Sequence, residues 1–243
     1  MKLFNNKFII ILRHAERADM VENAIIENIK CGIYDTELTD RGKSQAYEAG
    51  IKIKEFFYDK KIDLKLLERD KKIKFLCSPF ARTLITSFQM LKGLNLTTPI
   101  TIEEGLCEHL SKKWYPCPPE NFLAWIQHEE SKEKIYLNSE IEDHSIIHDS
   151  KTPLLSYPET HEECAIRLKS VYENITNFYL EECDNEVLFL ITHYLPIELF
   201  VKLYALEESK IDLTCEYCMT LAFSYEKELE NKIKFIDKIY PKF

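Results

Sequence analysis

Short apolar runs alternate with segments of helical periodicity along this 243-residue chain. Four runs have the length and composition of buried strands, at residues 8–12, 74–77, 100–102 and 187–191. Apolar residues at helical spacing predict helices at residues 39–57, 81–91, 160–180 and 195–206. Near the carboxyl terminus the pattern predicts two more strands, at residues 219–225 and 233–239, joined by a polar turn around Asn231.

Capping signals mark several of the helix boundaries. Thr39 or Asp40 can cap the first helix, and Thr160 with Glu163 has the spacing of a capping box at the start of the third. The second helix is expected to end near Gly93, because glycine readily adopts the left-handed conformation that closes many helices.

The alternation of strands and helices predicts an α/β fold, a three-layer α/β/α sandwich on a mainly parallel sheet. Because the chain has no internal repeat and no flexible linker, we expect residues 1–243 to form a single domain. Residues 109–157 break the pattern, since they are rich in proline and contain only a short helical piece at residues 122–129. We interpret residues 109–157 as an insertion that covers one end of the sheet.

Composition and charge exclude some partners. The net charge of −9 argues against binding to nucleic acid or to an anionic membrane, since both need a broad positive surface. No apolar stretch approaches the ~20 residues that span a membrane, and the run at residues 8–12 is too short for a signal peptide. We therefore expect a cytoplasmic protein whose eight cysteines are free thiols rather than a disulfide framework.

Polar side chains cluster directly after the predicted strands. They are Arg13, His14 and Arg17 after the first strand, Arg82 after the second, Glu108 after the third and His193 after the fourth. Ligands of parallel α/β sheets bind at the carboxyl ends of the strands, so these residues are expected to meet at one edge. Three guanidinium groups with histidines select an anion that has several oxygens, and phosphate fits best.

This set of residues also suggests a chemical reaction. None of the five glycines belongs to a GxGxxG or GxxxxGK[ST] motif, so side chains have to hold the phosphate. A neutral imidazole can attack phosphorus and form a covalent phosphohistidine, while a carboxylic acid protonates the leaving oxygen. Such a reaction requires no metal and no organic cofactor.

Four motifs occur in order along the chain: LRHAER at residues 12–17, LTDRGKSQA at residues 38–46, CSPFART at residues 77–83 and ITH at residues 191–193. They resemble, in turn, the RHG motif, LTxxGxxQA, SPxxRxxxT and the distal strand-end histidine of the histidine phosphatase superfamily, also called phosphoglycerate-mutase-like. Together the motifs extend the resemblance from about residue 8 to about residue 225.

The resemblance implies a role for each matching residue. His14 would be the phosphorylated nucleophile, Glu108 the proton donor, and Arg13, Arg82 and His193 the phosphate pocket. Arg17 matches the RHGER branch, which includes the suppressor-of-T-cell-receptor-signalling phosphatases, and would also contact phosphate.

This resemblance favours a phosphomonoesterase. Its substrate would be a phosphorylated small molecule or a phosphoprotein, and the RHGER branch suggests an aryl phosphate or phosphotyrosine. Dimers are common in the family, so a homodimer is compatible with the resemblance.

Two alternatives remain open at this stage. Ala15 occupies the position of the family glycine, and it would strain the loop if the local φ had to be positive. An impaired loop would favour a catalytically weak or inactive protein that serves as a binding or scaffold subunit. A sugar-phosphate mutase is the other alternative, and Arg17 disfavours it.

Overall fold

The computed structural model describes residues 7–20, 33–123, 146–152, 156–204, 211, 213, 216–228 and 232–239. In these ranges the strands form one sheet: β1 Lys7–Arg13, β2 Ile73–Cys77, β3 Ile100–Ile102, β4 Ile146–His148, β5 Val187–Thr192, β6 Thr220–Tyr225 and β7 Ile233–Ile239. Their order is β4-β3-β2-β5-β1-β6-β7, and β4, β3, β2, β5 and β1 run parallel. Strands β6 and β7 are antiparallel to their neighbours, so the prediction of a mainly parallel sheet is confirmed.

Helices cover both faces of this sheet. They are α1 Asp40–Asp59, α2 Leu64–Arg69, α3 Ala81–Leu94, α4 His161–Ile175, which continues as a π-helix over Thr176–Glu182, and α5 Tyr194–Tyr204. Alternate residues of β1 point to opposite faces, so Ile10 and Leu12 pack with α1 and α3 while Ile9 and Ile11 pack with α4 and α5. The predicted three-layer α/β/α sandwich is therefore confirmed.

The capping predictions can be compared with the helix ends directly. Thr39 caps α1 by accepting from the Gly42 amide, and both reciprocal bonds of the capping box connect Thr160 with Glu163. Helix α3 runs past Gly93 to Leu94 and closes on Asn95, which has a φ of 58°. Gly93 therefore lies inside the helix. The position is occupied by glycine because a Cβ there would overlap the carbonyl oxygen of Tyr47 on α1.

The predicted insertion is only partly irregular, which corrects the sequence interpretation. Ile146–His148 forms β4 and pairs with β3, an edge pairing too short to produce a periodic signal. Pro119–Asn121 forms a single 3₁₀ turn. Of the helical piece predicted at residues 122–129, residues 124–129 lie outside the described part of the chain, as does the turn around Asn231.

The short helix α2 was not predicted. Asp63 begins it by accepting from the Lys65 and Leu66 amides, and Leu64 and Leu67 pack on the core. Within the described ranges, no helix is both long and apolar enough to cross a membrane. Six cysteines in those ranges are free thiols, namely Cys77, Cys107, Cys117, Cys164, Cys183 and Cys218, while Cys31 and Cys215 lie outside them.

Parallel hydrogen bonding continues past the strand ends and fixes the residues that follow. The His14 amide donates to Thr192 O at 2.9 Å, and the Ser78 amide donates to Ile191 O at 3.0 Å. The Glu103 amide in turn donates to Cys77 O at 2.9 Å. The carboxyl ends of β1, β2, β3 and β5 are thus held side by side at one edge of the sheet.

Candidate active site

His14 is held at the end of β1 with one ring nitrogen committed to the backbone. It is 3% exposed, and its Nδ1 lies 2.8 Å from Ala15 O. Because a carbonyl oxygen only accepts, Nδ1 carries the proton and Nε2 keeps its lone pair when the ring is neutral. Burial lowers the pKa of His14 well below 6.5, and the charges of Arg82 and Arg13 lower it further. At neutral pH the ring is therefore neutral and oriented, and the lone pair of Nε2 is available.

The loop after His14 is fixed from two helices. The Ala15 amide donates to Thr86 Oγ1 on α3 at 3.0 Å, and the Glu16 amide donates to Gln45 Oε1 on α1 at 3.1 Å. Ala15 has no positive φ, and its methyl group is buried in the apolar core beside α1. The backbone therefore accommodates alanine without the strain considered above.

His193 lies against His14, with 5.3 Å between the ring centroids. Arg82 Nη2 lies 3.3 Å from His193 Nδ1, and Ser78 Oγ lies 2.9 Å from Nε2. Since a guanidinium only donates, Nδ1 accepts and the neutral ring donates from Nε2 to Ser78. Burial lowers the pKa of His193 well below 6.5, followed by the charges of Arg82 and His14.

Arg82 presents guanidinium hydrogens that no protein group uses. It is 1% exposed and donates from Nη2 to Tyr115 Oη at 3.3 Å, while its Nε and Nη1 are buried without a hydrogen-bond partner in the described chain. The cation lies over the Phe80 ring, 4.0 Å from its centroid. A buried cation with two unused donors is matched to an anion with several oxygens.

Arg13 is accompanied by an aromatic side chain that the sequence interpretation missed. Its Cζ lies 4.5 Å from the Tyr217 ring centroid, and Tyr217 in turn lies 5.9 Å from the His14 ring. Arg13 also contributes to the lowered pKa of His14, so its charge acts in the same site. The sequence did not predict a role for Tyr217 in the site, because Tyr217 belongs to no motif and follows the last helix in a stretch without periodicity.

The guanidinium of Arg17 is paired with a carboxylate. Its Nε and Nη2 donate to the two oxygens of Asp19 at 2.9 and 2.6 Å, and Thr36 Oγ1 donates to the same carboxylate. Burial opposes the charge of Arg17, but the hydrogen bonds and charge of Asp19 outweigh it and raise its pKa. Arg17 is still close enough to lower the pKa of His14. Its direct contact with phosphate stays a prediction.

Glu108 follows the 3₁₀ turn Glu104–Leu106 at the end of β3 and is half-buried. Its Oε1 accepts from the His109 amide at 3.0 Å. Burial raises the pKa of Glu108, and the His109 hydrogen bond and the charges of Arg82 and Arg13 oppose that rise. A carboxyl group whose pKa is raised beside a cationic pocket is suited to general-acid catalysis.

Residues 109–123 also contribute to the site. Tyr115 stacks on Phe122 with 5.0 Å between the ring centroids, and Phe80 packs 5.7 Å from Tyr115. Tyr115 is buried and accepts from Arg82, so this part of the predicted insertion contacts the phosphate pocket. Tyr115 was not predicted, because only the folded chain brings it to α3.

Taken together, the site is a cationic pocket around a neutral, oriented imidazole. His14, Arg13, Arg82 and His193 converge at the carboxyl ends of β1, β2 and β5, and Glu108 stands at the end of β3. Among the residues that the structure describes, no group of three or more histidine, cysteine, aspartate or glutamate side chains is placed to hold a metal ion. The arrangement can bind a phosphoryl group and exchange it with the imidazole.

Comparisons with solved structures show the same fold in proteins of low sequence identity. The ecdysone phosphate phosphatase from Bombix mori, in complex with tungstate, is 17% identical with a TM-score of 0.64, over 98% of this chain and 94% of that one. A phosphoglycerate mutase from Bacillus anthracis str. Sterne is 14% identical with a TM-score of 0.57, over 96% and 92% of the two chains. The protein histidine phosphatase SixA is 12% identical with a TM-score of 0.50, over 96% and 97%.

A search of curated protein sequences found no significant match. The model of the histidine phosphatase superfamily (branch 1), in contrast, matches residues 9–228. That range contains the nucleophile candidate, the arginine pocket and the distal histidine. Through this match over nearly its whole length, the chain belongs to the histidine phosphatase superfamily.

Proposed function

We propose that this protein hydrolyses phosphomonoesters through a phosphohistidine formed at His14. One observation carries the proposal: the buried neutral ring of His14 has Nδ1 tied to Ala15 O while Nε2 keeps its lone pair, beside the unused donors of Arg82. This is the geometry that a nitrogen nucleophile needs at a polyanionic phosphorus centre.

In the first step, the Nε2 lone pair of His14 attacks phosphorus and the bond to the ester oxygen breaks. The Glu108 carboxyl group transfers its proton to that oxygen, so an alcohol or phenol leaves. In the second step, a water molecule gives a proton to the Glu108 carboxylate while its oxygen attacks phosphorus. The N–P bond breaks, its electron pair returns to Nε2, and inorganic phosphate is released.

The arginines stabilise the charge on the phosphoryl oxygens during both steps. Arg82 contributes Nε and Nη1, and Arg13 adds a second positive charge. In this structure Nδ1 of His193 accepts a hydrogen bond from Arg82. For Nδ1 to donate a hydrogen bond to a phosphoryl oxygen instead, it has to carry a proton. The Ser78 hydroxyl permits this change, because it can donate to Nε2 as well as accept from it. The mechanism requires no metal.

The leaving group that we propose is aromatic, an aryl phosphate or phosphotyrosine. Tyr217 beside His14 is half-buried, and its ring could pack against an aryl group in the site. We propose hydrolysis rather than phosphate transfer within a sugar phosphate, because Arg17 lies where the resembling RHGER phosphatases have arginine and the mutase branch has a small polar residue.

Hydrolysis of p-nitrophenyl phosphate between pH 4 and 8, with a metal chelator present, tests the proposal. We expect turnover by the wild type and loss of turnover in His14→Ala, with an acid-labile phosphoenzyme formed only by the wild type. Arg69→Ala is the control, because in the described structure Arg69 is exposed on α2 and pairs only with Asp70 beside it. A folded wild type without turnover would contradict the proposal and favour the scaffold alternative.

A further inference from the structure

The loop that carries Glu108 is held by an ion pair that the proposed chemistry does not use. Arg167 projects from α4, and its side chain is 9% exposed. Its Nη1 donates to Gly105 O at 2.6 Å and to Cys107 O at 3.2 Å, and its Nη2 donates to Glu108 O at 3.3 Å. A single guanidinium thus binds three carbonyl groups at and before Glu108.

Glu159 binds both Arg167 and the backbone that follows Glu108. Its side chain is 1% exposed and accepts from Arg167 in a bidentate pair, at 2.5 Å from Nη2 and 3.0 Å from Nε. Its Oε1 also accepts from the Leu110 amide at 2.9 Å. The backbone of Glu159 donates to Leu110 O and accepts from His109 Nε2 at 3.0 Å.

We propose that Arg167 and Glu159 are a positioning pair that sets the proton donor Glu108 against the leaving oxygen. The proposal rests on the proposed phosphatase function. Arg167 fixes the backbone up to Glu108, and Glu159 fixes the two residues after it, so the main chain of Glu108 is bound on both sides.

The Arg167–Glu159 pair lies away from the residues that are proposed to bind phosphate. Helix α4 packs on the sheet face opposite to α3, which carries Arg82. In the described structure, neither Arg167 nor Glu159 forms a hydrogen bond with His14, Arg82 or His193. Weakening the pair should therefore misplace the acid while leaving the nucleophile and the phosphate pocket intact. A misplacement of about 1 Å can lower a rate by ~10²-fold.

The dependence of the rate on the leaving group distinguishes positioning of the acid from general support of the fold. Phenyl phosphate releases a phenolate whose conjugate acid has a pKa near 10, and it needs the proton of Glu108. p-Nitrophenyl phosphate releases a far weaker base and depends on that proton much less. We expect Arg167→Lys to lower turnover of phenyl phosphate by ~10–100-fold and to change turnover of p-nitrophenyl phosphate by less than ~3-fold.

Three further variants make the test specific. Glu108→Gln should reproduce the substrate pattern more strongly, and the double variant Glu108→Gln/Arg167→Lys should be no slower than Glu108→Gln alone, since the pair acts through that carboxyl group. Arg69→Lys on α2 is the matched control, because Arg69 is exposed and far along the chain from this loop. It should leave both rates unchanged.

Equal losses on both substrates in Arg167→Lys would overturn the proposal and leave a structural role only, as would additive effects in the double variant. If Arg167→Lys does not fold, the same ratio of the two rates is measured in Glu159→Asp, which keeps the charge beside Arg167 and shortens the side chain, and that ratio decides. Full activity of His14→Ala on both substrates would instead defeat the proposed function itself, so the two failures are distinguishable.

Discussion

Helices α1 and α3 approach so closely that their shared contact can be tested with a single methyl group. A Cβ on Gly50 would lie about 1 Å closer to Met90 O than the 3.4 Å at which ordinary van der Waals contact begins. The obstacle is backbone, so no side-chain rotation can relieve it. The same two helices hold the catalytic loop, through Gln45 on α1 and Thr86 on α3.

Two opposing effects decide the stability of Gly50→Ala. Alanine is favoured over glycine inside a helix by about 1 kcal/mol. Overpacking of a close interface costs about 1–3 kcal/mol, and a rigid backbone obstacle places Gly50 at the upper end of that range. We therefore expect a net destabilisation of about 2 kcal/mol, which corresponds to a fall in Tm of about 4–8 °C for a chain of this size.

Urea denaturation of wild type and Gly50→Ala measures this difference in the free energy of unfolding. Lys54→Ala, at an exposed position of the same helix, is the control and should change stability by no more than about 0.5 kcal/mol. Because the helices also position the loop after His14, Gly50→Ala should lower p-nitrophenyl phosphate turnover as well. A variant more stable than wild type would refute the reasoning, since helix propensity would then outweigh the packing obstacle.

Three further predictions address the site and the backbone. Burial and nearby arginines lower the pKa of His14, while burial raises that of Glu108, so the active form has a neutral ring and a protonated carboxyl group. Turnover of phenyl phosphate should therefore fall by about tenfold per pH unit above the pKa of Glu108, and an alkaline limb that persists in Glu108→Gln would contradict the assignment. Ala15→Gly should leave turnover unchanged and destabilise the protein by about 1 kcal/mol through loss of a buried methyl group, measured by urea denaturation; a gain in activity would show that Ala15 impairs the loop. Lys71→Gly should raise Tm, because Lys71 is exposed with a φ of 57° and glycine relieves about 1 kcal/mol of left-handed strain, and a lower Tm would argue against that strain.

Much of the fold followed from local periodicity. The strands at β1, β2, β3 and β5 and the helices α1, α3, α4 and α5 were predicted within a few residues, because strands buried on both faces and amphipathic helices leave strong patterns. Strand β4 and helix α2 were missed. Each is short, and neither contains enough residues to establish a period.

The candidate site was likewise predicted only in part. The sequence predicted that His14, Arg82, Glu108 and His193 meet at one edge, because each lies at or a few residues past a strand end and parallel strands bring their carboxyl ends together. The role of Glu108 came from the family resemblance. The sequence also predicted a phosphate contact for Arg17, which stays a prediction, but it gave no sign that Arg17 pairs with Asp19. A short-range ion pair of this kind depends on side-chain orientation, which no spacing rule describes.

The sequence by itself determined the order of strands and helices, the residues at the strand ends and the resemblance to a phosphohistidine site. Only the tertiary structure decided which nitrogen of His14 is free, which donors of Arg82 remain unused, and that Tyr115, Tyr217 and Arg167 belong to the site or its support. The physical reason is the range of the interactions. Periodicity and capping act over a few neighbouring residues, whereas the contact between Arg82 and His193 joins residues 111 positions apart, and its geometry exists only once the sheet has formed.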